Sequence, residues 1–458
     1  MNKILNSFQN VIGKYLLKGQ GRTVKAKKNI LGSILIKGTS IAISLIIVPL
    51  TIDYVNPTRY GIWLTLSSIV GWFSFFNIGL THGLRNKFAE AKAKGNVMAA
   101  QMYVSTTYFI LALIFSSVWI IFLIVNPFLD WVKILNVTSE MRAEVSMLAV
   151  IVFTYFCLQF VLKIINTLIT ADQQPAKASF IDLMGQVISL VFIVILVKTT
   201  EGSLINLGLA LCLSPILILA AANFYFFREK YREFRPIWSS VDLKESKGLF
   251  NLGLVFFIIS IAGLIQYQSA NIIIAQNFGT YEVTAYNIVY KYFNILGMAF
   301  GIFLSPFWSA STDAYYQNDI LWIRKAIKKY LILICILVGV GFLMLFYSSK
   351  VYEIWLKGQV DIEFILSFWG FMFILSFMFG NLFVNFLNGI SALRIQFWCS
   401  VFSPLIYIAV AIVLIKYYDL GVQSLFIASL IANFNGIIIA PIQYYLIVYK
   451  NKRGIWVK

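Results

Sequence analysis

Apolar runs longer than the about 18 residues that mark a membrane-crossing helix recur along this chain, and no polar stretch between them exceeds roughly 30 residues. Of its 458 residues, 60% are hydrophobic and only 12% charged, a balance that excludes a soluble enzyme or a secreted globule. The sequence therefore predicts an all-α polytopic membrane protein with almost no soluble part. The net charge of +18 reads as loop charge facing anionic phospholipid. A nucleic-acid partner would need basic residues clustered on a soluble surface, and none is expected. Cys157, Cys212, Cys335 and Cys399 lie inside apolar runs without CxxC spacing, which suggests neither a disulfide framework nor a zinc site.

About twelve spans follow from the polar breaks: 30–54, 60–82, 99–125, 143–170, 177–198, 203–227, 250–278, 283–311, 327–347, 361–388, 395–416 and 421–449. Pro49, Pro215, Pro306, Pro404 and Pro441 give five of them a site for a kink. The loops on the side of both termini hold most of the 37 lysines and arginines. The opposite loops hold Arg59, Lys133, Arg142, Lys198, Lys350, Lys357 and Lys416, so both termini are expected in the cytoplasm. Residues 1–29 form a basic arm in which Ile4, Leu5, Phe8, Val11, Ile12, Tyr15 and Leu16 repeat at helical spacing, as in a helix lying on headgroups.

Laid over itself at an offset of about 220 residues, the chain shows a weak duplication. "NTLITADQQ" from Asn166 falls on "NGISALRIQ" from Asn388, "ILVKTTEG" ending at Gly202 on "VLIKYYDLG" ending at Gly421, and Gly95-Asn96 on Asn318-Asp319. Six spans per copy is an even number, so both copies enter the membrane from the same side. The expected organisation is a cytoplasmic arm (1–29), an N-lobe of six helices (30–227), a cytoplasmic inter-lobe loop (228–249), a C-lobe of six helices (250–449) and a cytoplasmic tail (450–458). Two such lobes enclose a cavity near the midplane, a transporter's layout.

Ionisable residues inside a span are costly and point to function. Lys37, Lys163 and Lys291 lie inside spans, whereas Asp53, Glu144 and Asp182 lie within about two turns of a span end, leaving no acid as deep. Three unpaired cations would give a cavity a positive potential and favour an anion such as phosphate. Snorkelling of each lysine stem to the interface is the competing reading, and both stand open. Polar residues suited to sugar hydroxyls are Asn77, Gln159, Asn166, Gln266, Asn271, Tyr290, Asn381, Asn385 and Asn388; Asn381, Asn385 and Asn388 share one helical face. Hydrogen bonding between spans is their alternative role. No phosphate loop, DxD, HExxH or GxSxG motif occurs, so neither ATP hydrolysis nor glycosyl transfer is suggested.

The run "YVNPTRYGIWLTLSSIVGWFSFFNIGLTHGLRNKFAEAKAKGN" (Tyr54 to Asn96) resembles the start of O-antigen and lipid-linked oligosaccharide flippases, the polysaccharide-transporter branch of the multidrug/oligosaccharidyl-lipid/polysaccharide exporter superfamily. "YNIVYKYF" from Tyr286 and "SPFWSASTDAY" from Ser305 are similar to the same branch, and Gly83 to Lys87 is the most specific short piece. The resemblance implies two six-helix lobes, alternating access, and transfer of an undecaprenyl-diphosphate oligosaccharide from the cytoplasmic to the outer leaflet of the bacterial plasma membrane. It further implies lumenal cations on the diphosphate, carried over to Lys37, Lys163 and Lys291 by position, and polymerase and chain-length proteins of the same pathway as partners. No cofactor is expected, and proton or sodium coupling has no support in these residues. A multidrug antiporter of the same superfamily would need a deep carboxylate; a membrane-embedded oligosaccharide polymerase would need a sizeable external loop.

Overall fold

The computed structural model of the protein describes residues 21–71, 75–172, 174–243, 265 and 268–457, and all regular structure among them is helical. In chain order the helices are α1 (Gly21–Val55), α2 (Pro57–Gly71), α3 (Phe75–Ala93), α4 (Val97–Val125), α5 (Trp131–Leu135), α6 (Arg142–Leu162), α7 (Ile164–Ala171) and α8 (Pro175–Thr199). They continue as α9 (Leu204–Arg228), the helical residues 268–278, α10 (Thr280–Tyr316), α11 (Ile320–Phe346), α12 (Ser348–Leu356), α13 (Phe364–Gly389), α14 (Arg394–Lys416), α15 (Ser424–Ala432) and α16 (Ala440–Val448). Among the described residues nine helical stretches are long and apolar enough to cross a membrane, and α15 with α16 makes a tenth, bent by 44°. With the expected spans to which α2, α3 and 268–278 belong, the protein is polytopic with about twelve spans.

Each long helix buries one face against its neighbours and turns the other outward, where Ile120, Ile121 and Ile124 of α4 and Phe224 of α9 are exposed. Lipid tails solvate such faces, while the backbone satisfies itself within each helix. In the first half α1 packs on α8, α9 on α8 and α6, and α4 on α3 and α6; in the second, α10 packs on α13 and α11, and α13 on α15 and α16. The halves meet chiefly through α10 against α2. Gly61 permits that approach, since a Cβ there would lie 1.7 Å from the Thr280 carbonyl oxygen.

The duplicated turn is visible in its chemistry. Asn96 accepts a hydrogen bond from the Ala99 amide (3.0 Å) and Asp319 one from the Trp322 amide (3.0 Å), capping α4 and α11 in the same way. The preceding residues, Gly95 and Asn318, both have positive φ, 69° and 59°.

Three local features refine the expected spans. α1 is described from Gly21, so Arg22, Lys25, Lys27 and Lys28 of the expected arm are helical and continuous with the first span; the amphipathic residues 4–16 lie outside the described residues. The fourth span breaks into α6 and α7 at Lys163, without a proline. The last span bends ahead of Pro441: a π-helical turn, Asn435–Ile439, separates α15 from α16. A proline lacks the N–H that would bond four residues back, and the wider turn accommodates the loss.

Candidate functional site

Lys163 sits on the break between α6 and α7, where ψ rises to −8° and its amide still bonds the Gln159 carbonyl at 2.8 Å. Its ammonium lies 4.0 Å from an Asp182 carboxylate oxygen on α8, and each side chain is 45% exposed. Asn166, the next polar residue on α7, donates from Nδ2 to the same oxygen at 3.0 Å, while its own buried Oδ1 has no partner. Thr81, Arg85, Thr167, Thr170 and Ser179 complete the wall of a cavity of about 360 Å³. The expectation of unpaired cations without a deep acid is thereby corrected at Lys163. Asp182 is near the start of α8 by count, and the packing of α7 on α8 sets Lys163 and Asn166 opposite it.

The other two lysines have separate surroundings. Lys291 is half-buried on α10, its ammonium 3.4 Å from the Tyr60 hydroxyl on α2, and neighbouring Tyr290 packs on Phe373 with ring centroids 6.4 Å apart. Lys37 is exposed on α1 and, among the described residues, has no carboxylate within ion-pair distance. The three do not converge on one cluster.

The amides divide as well. Asn271 is buried and bonded at both ends of its side chain, donating to Ser68 Oγ (2.5 Å) and accepting from Asn287 Nδ2 (2.8 Å). In this conformation it plays the interhelical role, away from the cavity. Gln159 donates to the Tyr155 hydroxyl at 2.6 Å and Asn385 to the Asn381 carbonyl at 2.8 Å, both one turn back on their own helix. Asn388 has a buried Oδ1 without a partner, as Asn166 does. Gln266 lies outside the described residues, as does the side chain of Asn77.

No family model matches the chain. A protein named as an O-antigen transporter in Salmonella typhi is 20% identical over 368 residues, 80% of this chain and 79% of its own. An O-antigen export protein of Yersinia pseudotuberculosis is 21% identical over 320 residues, 68% of this chain and 69% of its own. Among solved structures, an inward-facing multidrug-resistance MATE transporter of the MOP superfamily superposes with a TM-score of 0.77 at 12% identity, over 90% of this chain and 96% of that one. An outward-facing MATE structure gives 0.65 at 14% identity, over 96% and 98%. The protein is a membrane transporter with the MOP-superfamily fold.

In this transporter the bonds between halves gather at the end away from Gly21 and Val448. Thr284 Oγ1 donates to the Pro57 carbonyl (2.7 Å), Asn136 Nδ2 to the Ala275 carbonyl (3.1 Å) and Trp355 Nε1 to the Leu45 carbonyl (2.9 Å). Asp53 accepts from both Lys357 and Gln359. Asn271 and Lys291 belong to the same seam, a role that appears only when helices distant in sequence are placed side by side. At the opposite end of the first half, Asp172 joins α3, α7 and the segment after α9 by accepting from Lys92, Lys230 and the Tyr231 hydroxyl. Burial alone would raise this carboxyl, but the hydrogen bonds from Lys230 and Lys92 outweigh it and hold it below its ordinary value.

Proposed function

We propose that the transporter moves an undecaprenyl-diphosphate-linked oligosaccharide from the cytoplasmic to the outer leaflet of the bacterial plasma membrane, for O-antigen or a similar surface glycan. The observation that carries this reading is the cavity beside the α6–α7 break, in which Lys163 and Arg85 outnumber Asp182. Two cations and one carboxylate leave the cavity net positive, and a diphosphate satisfies both better than a cationic drug would. Asp182 then holds Lys163 while the cavity is empty and yields it to the incoming phosphate. Gln159, Asn166, Asn381, Asn385 and Asn388 supply the amide faces for the sugar, and the polyprenyl chain stays in lipid between the halves.

In this reading residues 30–227 and 250–449 are two lobes that rock about the seam at the outer end, both termini are cytoplasmic, and the cycle is non-hydrolytic. Lys291, held by Tyr60 at the seam, and Lys37 on α1 meet the diphosphate at other stages of the cycle. Polymerase and chain-length proteins are its pathway partners. The names of the Salmonella and Yersinia relatives support an O-antigen substrate. A multidrug antiporter is the second reading, favoured by Asp182 as a carboxylate within a span, but the two neighbouring cations work against binding a third.

Complementation of a flippase-deficient strain tests the proposal, with surface glycan and lipid-linked precursor scored for Lys37→Ala, Lys163→Ala, Lys291→Ala and the triple variant. Precursor accumulation at normal membrane levels of the protein is expected. Normal export by the triple variant would sink the cationic-cavity reading.

A further inference from the structure

Each half of the transporter has a groove that shares three lining positions with the other, and the chain lays a segment of its own along it in only one. In the first half a groove of about 250 Å³ runs beside Ser105, Tyr108 and Val161 on α4 and α6, and the chain covers it with its own segment 236–241. That segment is pinned along α4: Gln101 Nε2 donates to the Arg235 carbonyl (3.0 Å), the Ile237 amide to Ser105 Oγ (3.1 Å) and the Asp242 amide to Thr106 Oγ1 (3.0 Å). Trp238 lies edge-on against Phe109, with ring centroids 5.4 Å apart.

In the second half the groove between α11 and α16 holds about 470 Å³, and three of its lining residues, Lys328, Leu331 and Phe383, stand at positions matching Ser105, Tyr108 and Val161. At the offset of the duplication, Arg324 replaces Gln101, Lys328 replaces Ser105, Leu331 replaces Tyr108 and Phe383 replaces Val161. Here the chain after α16 turns elsewhere, Gln443 Nε2 donating to the Trp456 carbonyl at 2.7 Å and Arg453 to the Tyr315 hydroxyl at 3.3 Å. The residues that pin the cover in the first half are thus replaced by cations. Arg324 donates from Nη2 to the Val448 carbonyl (2.7 Å) and lies 4.1 Å over the Tyr449 ring, but its buried Nε has no partner. Lys325 and Lys328 are exposed at the rim, and no carboxylate lines the groove among the described residues.

We propose that this groove is a binding site for an anionic glycerophospholipid of the leaflet on the side of the termini. The headgroup phosphate sits on Arg324, Lys325 and Lys328, where Arg324 Nε is ready to donate, and an acyl chain lies along Leu331, Phe383 and Tyr445. Cations at the rim and an apolar, aromatic floor running into the bilayer match an amphiphile with an anionic head. A free phosphate would leave that floor uncovered.

Native mass spectrometry of the purified full-length transporter, equilibrated with mixed micelles of phosphatidylglycerol and phosphatidylcholine, tests the site. The wild type should retain phosphatidylglycerol over phosphatidylcholine, and Lys325→Gln/Lys328→Gln, which keeps the Arg324 bond to Val448, should lower that retention about tenfold. Lys94→Gln/Lys177→Gln, the same charge loss on the first half, should leave it unchanged. Equal retention of the two lipids by the wild type, unchanged retention by the Lys325/Lys328 variant, or an equal fall in the control pair would each overturn the proposal.

Discussion

The two halves place different chemistry on one scaffold. On α6–α7 the inward positions are Gln159, Lys163 and Asn166, facing Asp182 on α8; the matching positions on α13 and α14 are Asn381, Asn385, Asn388 and Pro404. Both members of the Asn166/Asn388 pair keep a buried oxygen without a partner, so the duplication preserved an amide and changed the charge around it. The stretch that matches Arg85, 305–309, holds no cation. At these matched positions the charge is confined to the first half, and the second carries neutral hydrogen-bonding groups.

The largest expected effect tests that division directly. Lys163→Ala with Arg85→Ala should abolish glycan export, since loss of even one charge-assisted contact worth about 2 kcal/mol weakens binding about thirtyfold. Placing the charge in the other half, Asn385→Lys on a Lys163→Asn background, should fail to restore export, because the positions there that match Arg85 and Asp182 hold neither a second cation nor a carboxylate to hold the lysine while empty. Restored surface glycan in this swap would show that the halves are interchangeable and break the comparison.

The second half supplies the joint between halves. Asn271 and Asn287 bond each other and reach Ser68, whereas the position matching Asn287 is Thr65, whose hydroxyl donates to the Gly61 carbonyl within its own helix. Asn271→Ala removes two buried hydrogen bonds across the seam, leaving Ser68 Oγ and Asn287 Nδ2 only their bonds to the Leu64 and Val283 carbonyls of their own helices, and should cost the closed seam about 1.5 kcal/mol, shifting the balance of states about tenfold. A cysteine at Ser68 or Tyr60 should then be modified faster by a membrane-impermeant thiol reagent added outside. Unchanged labelling would remove the seam from the transport cycle.

A smaller change separates the two partners of Lys163. Asp182→Asn keeps the hydrogen-bonding shape facing Asn166 but frees the lysine, so the precursor should bind about fivefold tighter and leave more slowly, the scale of a half-exposed ion pair of about 1 kcal/mol. Crosslinking of precursor to the transporter reads this directly; weaker capture would mean that Asp182 itself contacts the substrate.

The spans were legible in the sequence because hydrocarbon thickness fixes their length, and the duplication because turns such as Gly95-Asn96 and Asn318-Asp319 keep their capping chemistry. Asp182 was not, since counting from a span end measures depth along one helix and says nothing of what stands opposite. The break at Lys163 carries no proline or glycine signal. Asn271 looked like a cavity residue for the same reason: its partners come from α2 and α10, and their adjacency is a property of the packed bundle. Arg324, Lys325 and Lys328 read as ordinary loop charge until α16 was seen to wall a groove beside them.

The smallest effect concerns the end of the first half, where Asp172 is matched by Arg394 in the second. Asp172 lies 14% exposed between Lys92 and Lys230, so among the described residues only the first half closes its helix ends with a shared carboxylate. Because its folded pKa is lowered, the stability it contributes is complete above the ordinary carboxylate range, near pH 4, and is lost as pH falls through the lowered folded value. Asp172→Asn should therefore unfold more easily at pH 7 by about 1 kcal/mol, a modest figure because both lysines are partly solvated. The gap from wild type should shrink as the pH is taken below about 4, where the wild-type carboxyl also becomes neutral. Thermal unfolding in detergent across that range measures it. An Arg394→Gln variant, lacking any such carboxylate partner among the described residues, should show no comparable pH dependence, and a gap that persisted at low pH in Asp172→Asn would mean that the side chain's shape, rather than its charge, holds α3, α7 and the segment after α9 together.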